Sequence, residues 1–207
     1  VAGTRSPAPG LRERKKQQTR QALSRAAVRL AVERGLGNVL VEDIAAEAGV
    51  SPRTFNNYFG SKAEAICARH LDRARQVVAA LRARPAGEPL WEAVTQAVLA
   101  QFGGEERAPD PEWTAGVRLM TGEPALQGEM LRADAIAERE LAAVIAKRTG
   151  TDADRDLYPV LVSAAAGAAT RAATHRWLRA DPPVPMGPLL REALGLLAAG
   201  LPAPSTT

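Results

Sequence analysis

Apolar residues recur at spacings of three and four along most of the chain. No stretch alternates convincingly with the period of two that a half-buried strand needs, so the pattern predicts an all-α protein of about nine helices. Over residues 12–34, Leu23, Ala26, Ala27, Leu30 and Ala31 form one apolar stripe, and Gly35 stops it. Residues 41–62, VEDIAAEAGVSPRTFNNYFGSK, predict two short helices. Val41, Ile44, Ala45 and Ala48 mark the buried face of the first, Gly49 is its left-handed stop, and Ser51-Pro52 caps and opens the second. Phe55 and Phe59, four apart, share the inner face of that second helix. Ser61 with Glu64 is a capping box that starts a helix of residues 62–84, ended by Pro85-Ala86-Gly87.

Five further helices follow. Leu90, Trp91, Val94, Val98 and Phe102 define one over 88–102. Asp110-Pro111 opens a second through Met120, and Pro124 a third to Arg148, with Met130, Ala137, Leu141 and Val144 inward. Asp152 and Asp154 open a fourth to about residue 180, broken by Asp181-Pro182-Pro183, and the last covers 186–200. No internal repeat interrupts this series.

Two helices crossing over a glycine turn, the second with a polar outer face, are a helix-turn-helix whose second helix fits a DNA major groove. Charge agrees with that placement. Residues 1–84 carry 16 Lys/Arg against 7 Asp/Glu, a balance of +9, whereas residues 85–207 carry 11 against 16, a balance of −5. The run Arg12, Arg14, Lys15, Lys16 can touch phosphates, or simply be a solvated helix start. On the second motif helix Arg53 can bond guanine, and Asn56 and Asn57 adenine, each with two hydrogen bonds. With Thr54 they are the candidate base-reading residues; for the asparagines a phosphate or intrahelical contact is the alternative.

Composition narrows the other possibilities. A single cysteine, Cys67, excludes an internal disulfide and reads as a small apolar helix residue. No run reaches the ~18 apolar residues of a membrane span, and no apolar signal core is visible, so the expected location is the cytoplasm. There is no phosphate-binding glycine loop, no metal-spaced His/Cys set and no nucleophile motif, so neither an enzyme, a metal nor a cofactor is expected. His70 and His175, on separate helices, read as surface or hydrogen-bonded histidines.

The residues Arg20, Ala26-Ala27, Leu30, Gly35, Glu42-Asp43-Ile44-Ala45, Ala48-Gly49-Val50-Ser51, Thr54-Phe55, Tyr58-Phe59 and Ser61-Lys62 resemble the DNA-binding domain of the TetR family of bacterial transcriptional regulators, over about residues 12–68. The Tyr-Phe-x-Ser-Lys ending is characteristic of it. Trp113, Arg118, Pro124-Ala125-Leu126 and Arg148-Thr149-Gly150 are similar to the C-terminal part of mycofactocin-regulator-like members. The resemblance implies a homodimer on a palindromic double-stranded operator, released as a repressor by a small hydrophobic effector. It adds Tyr58 and Lys62 as phosphate contacts. Activation, or control by a protein partner, is the alternative. Two features depart from the family pattern: Leu40 stands where threonine usually caps the first motif helix, so that either Asn38 takes over part of that job or the helix start is looser, and Asn56 replaces a frequent aromatic.

The expected organisation is an arm over 1–11, a helix-turn-helix domain over 12–61, a connecting helix over 62–84, an effector-binding and dimerisation domain over 85–201, and a tail over 202–207. Trp91, Phe102, Trp113, Val117, Met120 and Met130 are the candidate effector-binding residues, each with plain core packing as its alternative. Arg118 can meet an anionic ligand or stay in solvent. For dimerisation the small-residue run 163–169 and the stripe Leu189, Leu190, Leu194, Leu197 are the candidates, with packing inside one chain as the alternative.

Overall fold

The computed structural model describes residues 10–102 and 111–202, and among these every regular element is helical. The arm expected over 1–11 falls largely outside the described residues, as do Asp110, expected to cap a helix, and most of the tail. The helices are α1 Leu11–Arg34, α2 Val41–Glu47, α3 Pro52–Asn56, α4 Lys62–Ala83, α5 Leu90–Leu99, α6 Pro111–Gly122, α7 Pro124–Thr149, α8 Leu157–Leu178 and α9 Met186–Ala198; a 3-10 turn, Leu36–Asn38, lies between α1 and α2. Contacts divide the chain into two compact units, the first ending at Arg69 and the second beginning at His70, within α4.

In the first unit the predicted α1 stripe is the wall of the core: Leu23, Ala27, Leu30 and Ala31 are almost fully buried, together with Ile44, Ala45, Phe55 and Phe59. Burying two phenylalanines contributes about 1.5–3 kcal/mol each. Their rings lie 5.7 Å apart, and the Arg20 guanidinium sits 5.3 Å from the Phe59 ring centre. Ser24 is buried too, and its hydroxyl donates to the Ala65 carbonyl at 2.7 Å, which ties α1 to α4. An unpaired hydroxyl there would cost about 1–3 kcal/mol. Cys67 is 3% exposed.

The connections follow local chemistry. Gly35 has φ +79° and closes α1 onto the Ala31 carbonyl at 3.0 Å. Gly49, at φ +69°, lets the Val50 N–H reach back to the Ala45 carbonyl at 2.9 Å. Ser51 caps α3 by accepting the Thr54 N–H at 3.1 Å. The α4 start is a variant of the expected box: Ser61 accepts the Glu64 N–H at 3.0 Å, while the Glu64 carboxylate accepts from Gly60 at 2.7 Å. The start of α2 differs from expectation. Leu40 has no side-chain oxygen to offer, and Asn38 does not replace it, because its amide turns back to donate to the Arg34 carbonyl at 2.8 Å. Asp43 closes this end instead, accepting the Leu40 N–H at 3.0 Å.

In the second unit α8 packs against both α7 and α9, and α9 also against α5. Leu81, Ala93, Val94, Ile145, Trp177, Leu190 and Leu194 form the centre of its core. Asp152 and Asp154 do not open α8; with Asp156 they build the turn before it. Asp152 Oδ1 accepts the Asp154 N–H and Asp156 Oδ2 the Asp152 N–H, both at 2.8 Å. Arg148 donates to the carbonyls of Arg84, Pro85 and Glu88 at 3.1, 2.8 and 3.3 Å and so ties α7 to the turn after α4. Arg84 pairs with Glu88 in that turn. This hydrogen bond holds the Glu88 carboxyl below its ordinary range and pushes the Arg84 guanidinium up. His70 is paired with Asp134 at 2.6 Å, and His175 is exposed.

Candidate nucleic-acid interface

α3 is only five residues long, and its inner and outer faces are sharply different. Phe55 and Phe59 are held in the core, which turns Arg53, Asn56 and Asn57 outward, all exposed. Arg53 precedes the asparagines by three and four residues, so the three lie on one face. They carry the donors and acceptors that base edges require. Thr54 is half-buried, and its hydroxyl lies 3.0 Å from that of Ser51, so it is engaged in holding the start of the helix. Tyr58 is half-buried.

Lys62 is placed differently from a side chain reaching outward. It is half-buried, and its ammonium donates to the carbonyls of Leu36 at 2.7 Å and Val39 at 2.9 Å. One of its three N–H donors is left for any other partner. Arg12, Arg14, Lys15 and Lys16 are exposed along the first turns of α1, and Leu40 is 60% exposed at the start of α2.

The second unit gathers some of the bulky residues singled out in the sequence, and adds others. Trp113 makes an edge contact with Phe102, with ring centres 6.0 Å apart, and stacks at a tilt on Trp177 at 4.7 Å. The Arg73 guanidinium lies 4.8 Å from the centre of Trp113 and 5.1 Å from that of Phe102. Trp177 is anchored by its indole N–H, which donates to the Val184 carbonyl at 3.0 Å. Trp91 and Met120 are half-buried against the same core, and Val117 belongs to it. Met130 is half-buried but lies outside that core cluster. Arg118 is exposed, donating to the Leu178 carbonyl at 3.4 Å. Arg73 and Trp177 were not legible as partners of Trp113, since 40 and 64 residues separate them from it in the chain.

The proposed dimerisation stripe is corrected in part. Leu190 and Leu194 are fully buried inside their own chain, and Ser163, Ala166 and Ala169 also face inward. On these two helices the large apolar residues left in solvent are Leu157, Tyr158, Val160 and Leu161 of α8 and Leu196 of α9. A groove of about 440 Å³ runs along α9, lined by Pro188, Arg191, Glu192, Gly195, Leu196 and Ala199.

A three-helix unit with an outward polar helix 3, joined to an all-helical body, defines a helix-turn-helix transcription regulator. The model of bacterial regulatory proteins of the tetR family matches residues 23–65, and that of the MftR C-terminal domain matches residues 88–202, more than half of the chain. The HTH-type transcriptional regulator TcmR of Streptomyces glaucescens is 38% identical over 179 residues, spanning 84% of this chain and 79% of TcmR. A TetR-family regulator from Syntrophomonas wolfei shares the fold at 16% identity, with a TM-score of 0.64 over 91% of this chain and 98% of the other. SmeT of Stenotrophomonas maltophilia in complex with triclosan shares it at 18% identity, with a TM-score of 0.61 over 91% of this chain and 96% of SmeT. The chain belongs to the TetR family of bacterial transcription regulators.

No described helix is long and apolar enough to cross a membrane, and no metal-holding cluster of His, Cys, Asp or Glu occurs among the described residues.

Proposed function

We propose that the protein is a ligand-responsive repressor that binds a palindromic operator as a homodimer. The observation that carries the DNA-reading part is the exposed row of Arg53, Asn56 and Asn57 on the outer face of α3, backed by two buried phenylalanines. α3 enters the major groove, these residues read base edges, and Thr54, Tyr58 and Lys62 hold the helix or the backbone beside it. A twofold dimer presents two such helices about 34–36 Å apart, or at a multiple of that distance. The exposed apolar residues of α8 and α9 are the surface offered for pairing. Repression is supported by SmeT, the repressor of a multidrug efflux pump, which shares the fold.

A small hydrophobic effector is taken up among Trp91, Phe102, Trp113, Val117 and Met120, all of which belong to or pack against one apolar core. Met130 is the least supported member of the expected set, because it lies outside the core against which the others pack. The effector relieves repression only by binding more tightly to the conformation that has the lower operator affinity.

Selection of genomic fragments by the purified protein, followed by footprinting, tests the DNA part. The expected product is an inverted repeat protected on both half-sites. Recovery of random fragments, or of a site without symmetry, would overturn it. A reporter downstream of the selected site should rise when the gene is deleted; a fall would make the protein an activator. A thermal-shift screen with small apolar compounds tests the effector part.

A further inference from the structure

We propose that Lys62 serves DNA binding as a positioning residue, fixing the entry of α2 from inside the protein rather than contacting a phosphate. The segment from Gly35 to Leu40 is held at its two ends by Asn38 on the Arg34 carbonyl and Asp43 on the Leu40 N–H, whereas the Leu36 and Val39 carbonyls between them lie outside any α-helix ladder. Gly35 and Gly37 loosen its backbone, and Leu40 provides no side-chain cap for α2. Leu36 and Val39 anchor it by burying their side chains. Their carbonyls both receive the Lys62 ammonium, at 2.7 and 2.9 Å, across 26 and 23 residues of sequence. Hydrogen bonds from a charged donor are stronger than neutral ones, and a pair converging from one nitrogen fixes the segment in two places. Lys62 is itself the first residue of α4, whose start is doubly capped by Ser61 and Glu64, so the pin is driven from a fixed base. α2 in turn packs on α3, so the turn between α1 and α2 sets where the reading helix sits. A cation drawn inward onto two carbonyls is poorly placed to release a DNA counterion.

The test is made on the full chain with Lys62→Met, Lys62→Gln and Lys62→Arg. Without DNA, amide exchange at Asn38, Leu40 and Ile44 should accelerate at least about tenfold in the Met variant, the net worth of one charged hydrogen bond. Amides in the α1 core around Leu23–Leu30 should keep their protection, which separates a local pin from general destabilisation. The Arg variant, which keeps charge and donors, should recover much of the lost protection. With a mixed-sequence duplex, the Met and Gln variants should bind more weakly, with the same dependence of log K on log salt as the parent. Loss of a phosphate contact would instead flatten that slope by about 0.9 per head. A flattened slope with unchanged exchange would overturn the proposal. Unchanged exchange alone would also overturn it, even if the parent failed to bind the duplex, which would count against the α3 interface instead. If the Met variant does not fold, the Gln variant gives both readings.

Discussion

Asp43→Ala isolates an interaction on which the first motif helix depends. α2 has seven residues, two turns, and so cannot offset a frayed start by its length. Its N-cap position is Leu40, extended at φ −99° and ψ 159°, the geometry a capping residue adopts but with no side-chain oxygen to use it. Among the described residues, the side chain bonded to the N-cap residue itself is the Asp43 carboxylate, which accepts the Leu40 N–H at 3.0 Å. The bond is exposed, so its charged acceptor is worth the lower part of the usual range, about 1.5 kcal/mol. Removing a negative charge from the first turn costs about 0.3–1 kcal/mol more, although Glu42 still supplies part of that term. A destabilisation of about 2 kcal/mol is expected, measured by urea unfolding followed by far-UV circular dichroism, with faster exchange at the Leu40 amide. Asp43→Asn retains an acceptor oxygen and should recover more than half of the loss. If Asp43→Ala changed stability by less than about 0.3 kcal/mol, or if the Asn variant behaved like the Ala variant, the carboxylate would not be the cap and the reasoning would fail.

Three further outcomes are expected. Arg53→Ala should change which operator is preferred in a bound-DNA selection, losing about 1–3 kcal/mol of discrimination per half-site at the base it reads, whereas a uniform loss across all sequences would make it a backbone contact. Replacing Leu161 and Leu196 together by arginine should shift a dimer toward monomer in analytical ultracentrifugation with helicity unchanged; a persistent dimer would move the interface elsewhere. Glu88 is held below its ordinary pKa of 4.5 by its bond to Arg84, so the pair stabilises the folded chain above that pH and ceases to as pH falls through the depressed value. The stability difference between the parent and Glu88→Gln should therefore be full near neutrality and shrink in acid, and a difference that grew on acidification would reverse the assignment.

Local chemistry made the helical order readable before any coordinate. Gly35 and Gly49 both take positive φ where the sequence places a stop, and Ser51-Pro52 opens α3 as its residue types require. Phe55 and Phe59 lie in the core as their spacing predicts. What escaped the sequence is non-local. A stripe such as Leu190 and Leu194 has the same period whether its partner is in the same chain or another. Lys62 at a helix start looks ready for phosphate until two carbonyls more than twenty residues back are seen to hold it. The aspartates before α8 look like helix starters in the sequence because an Asx turn and a cap use the same residue types. The contact of Arg73 with Trp113 joins α4 to α6 and leaves no periodic trace.

The burial of Cys67 gives the chain a practical property. It is the protein's single thiol and is 3% exposed in the first unit, so a maleimide probe finds almost nothing to react with in the folded native protein. A cysteine introduced at an exposed position of the first unit, such as Arg25, would then carry one spectroscopic label per protomer without any cysteine having to be removed. In a homodimer, two such labels form a ruler, and pulsed dipolar spectroscopy would report the distribution of distances between the two DNA-reading units in solution, before and after an effector is added.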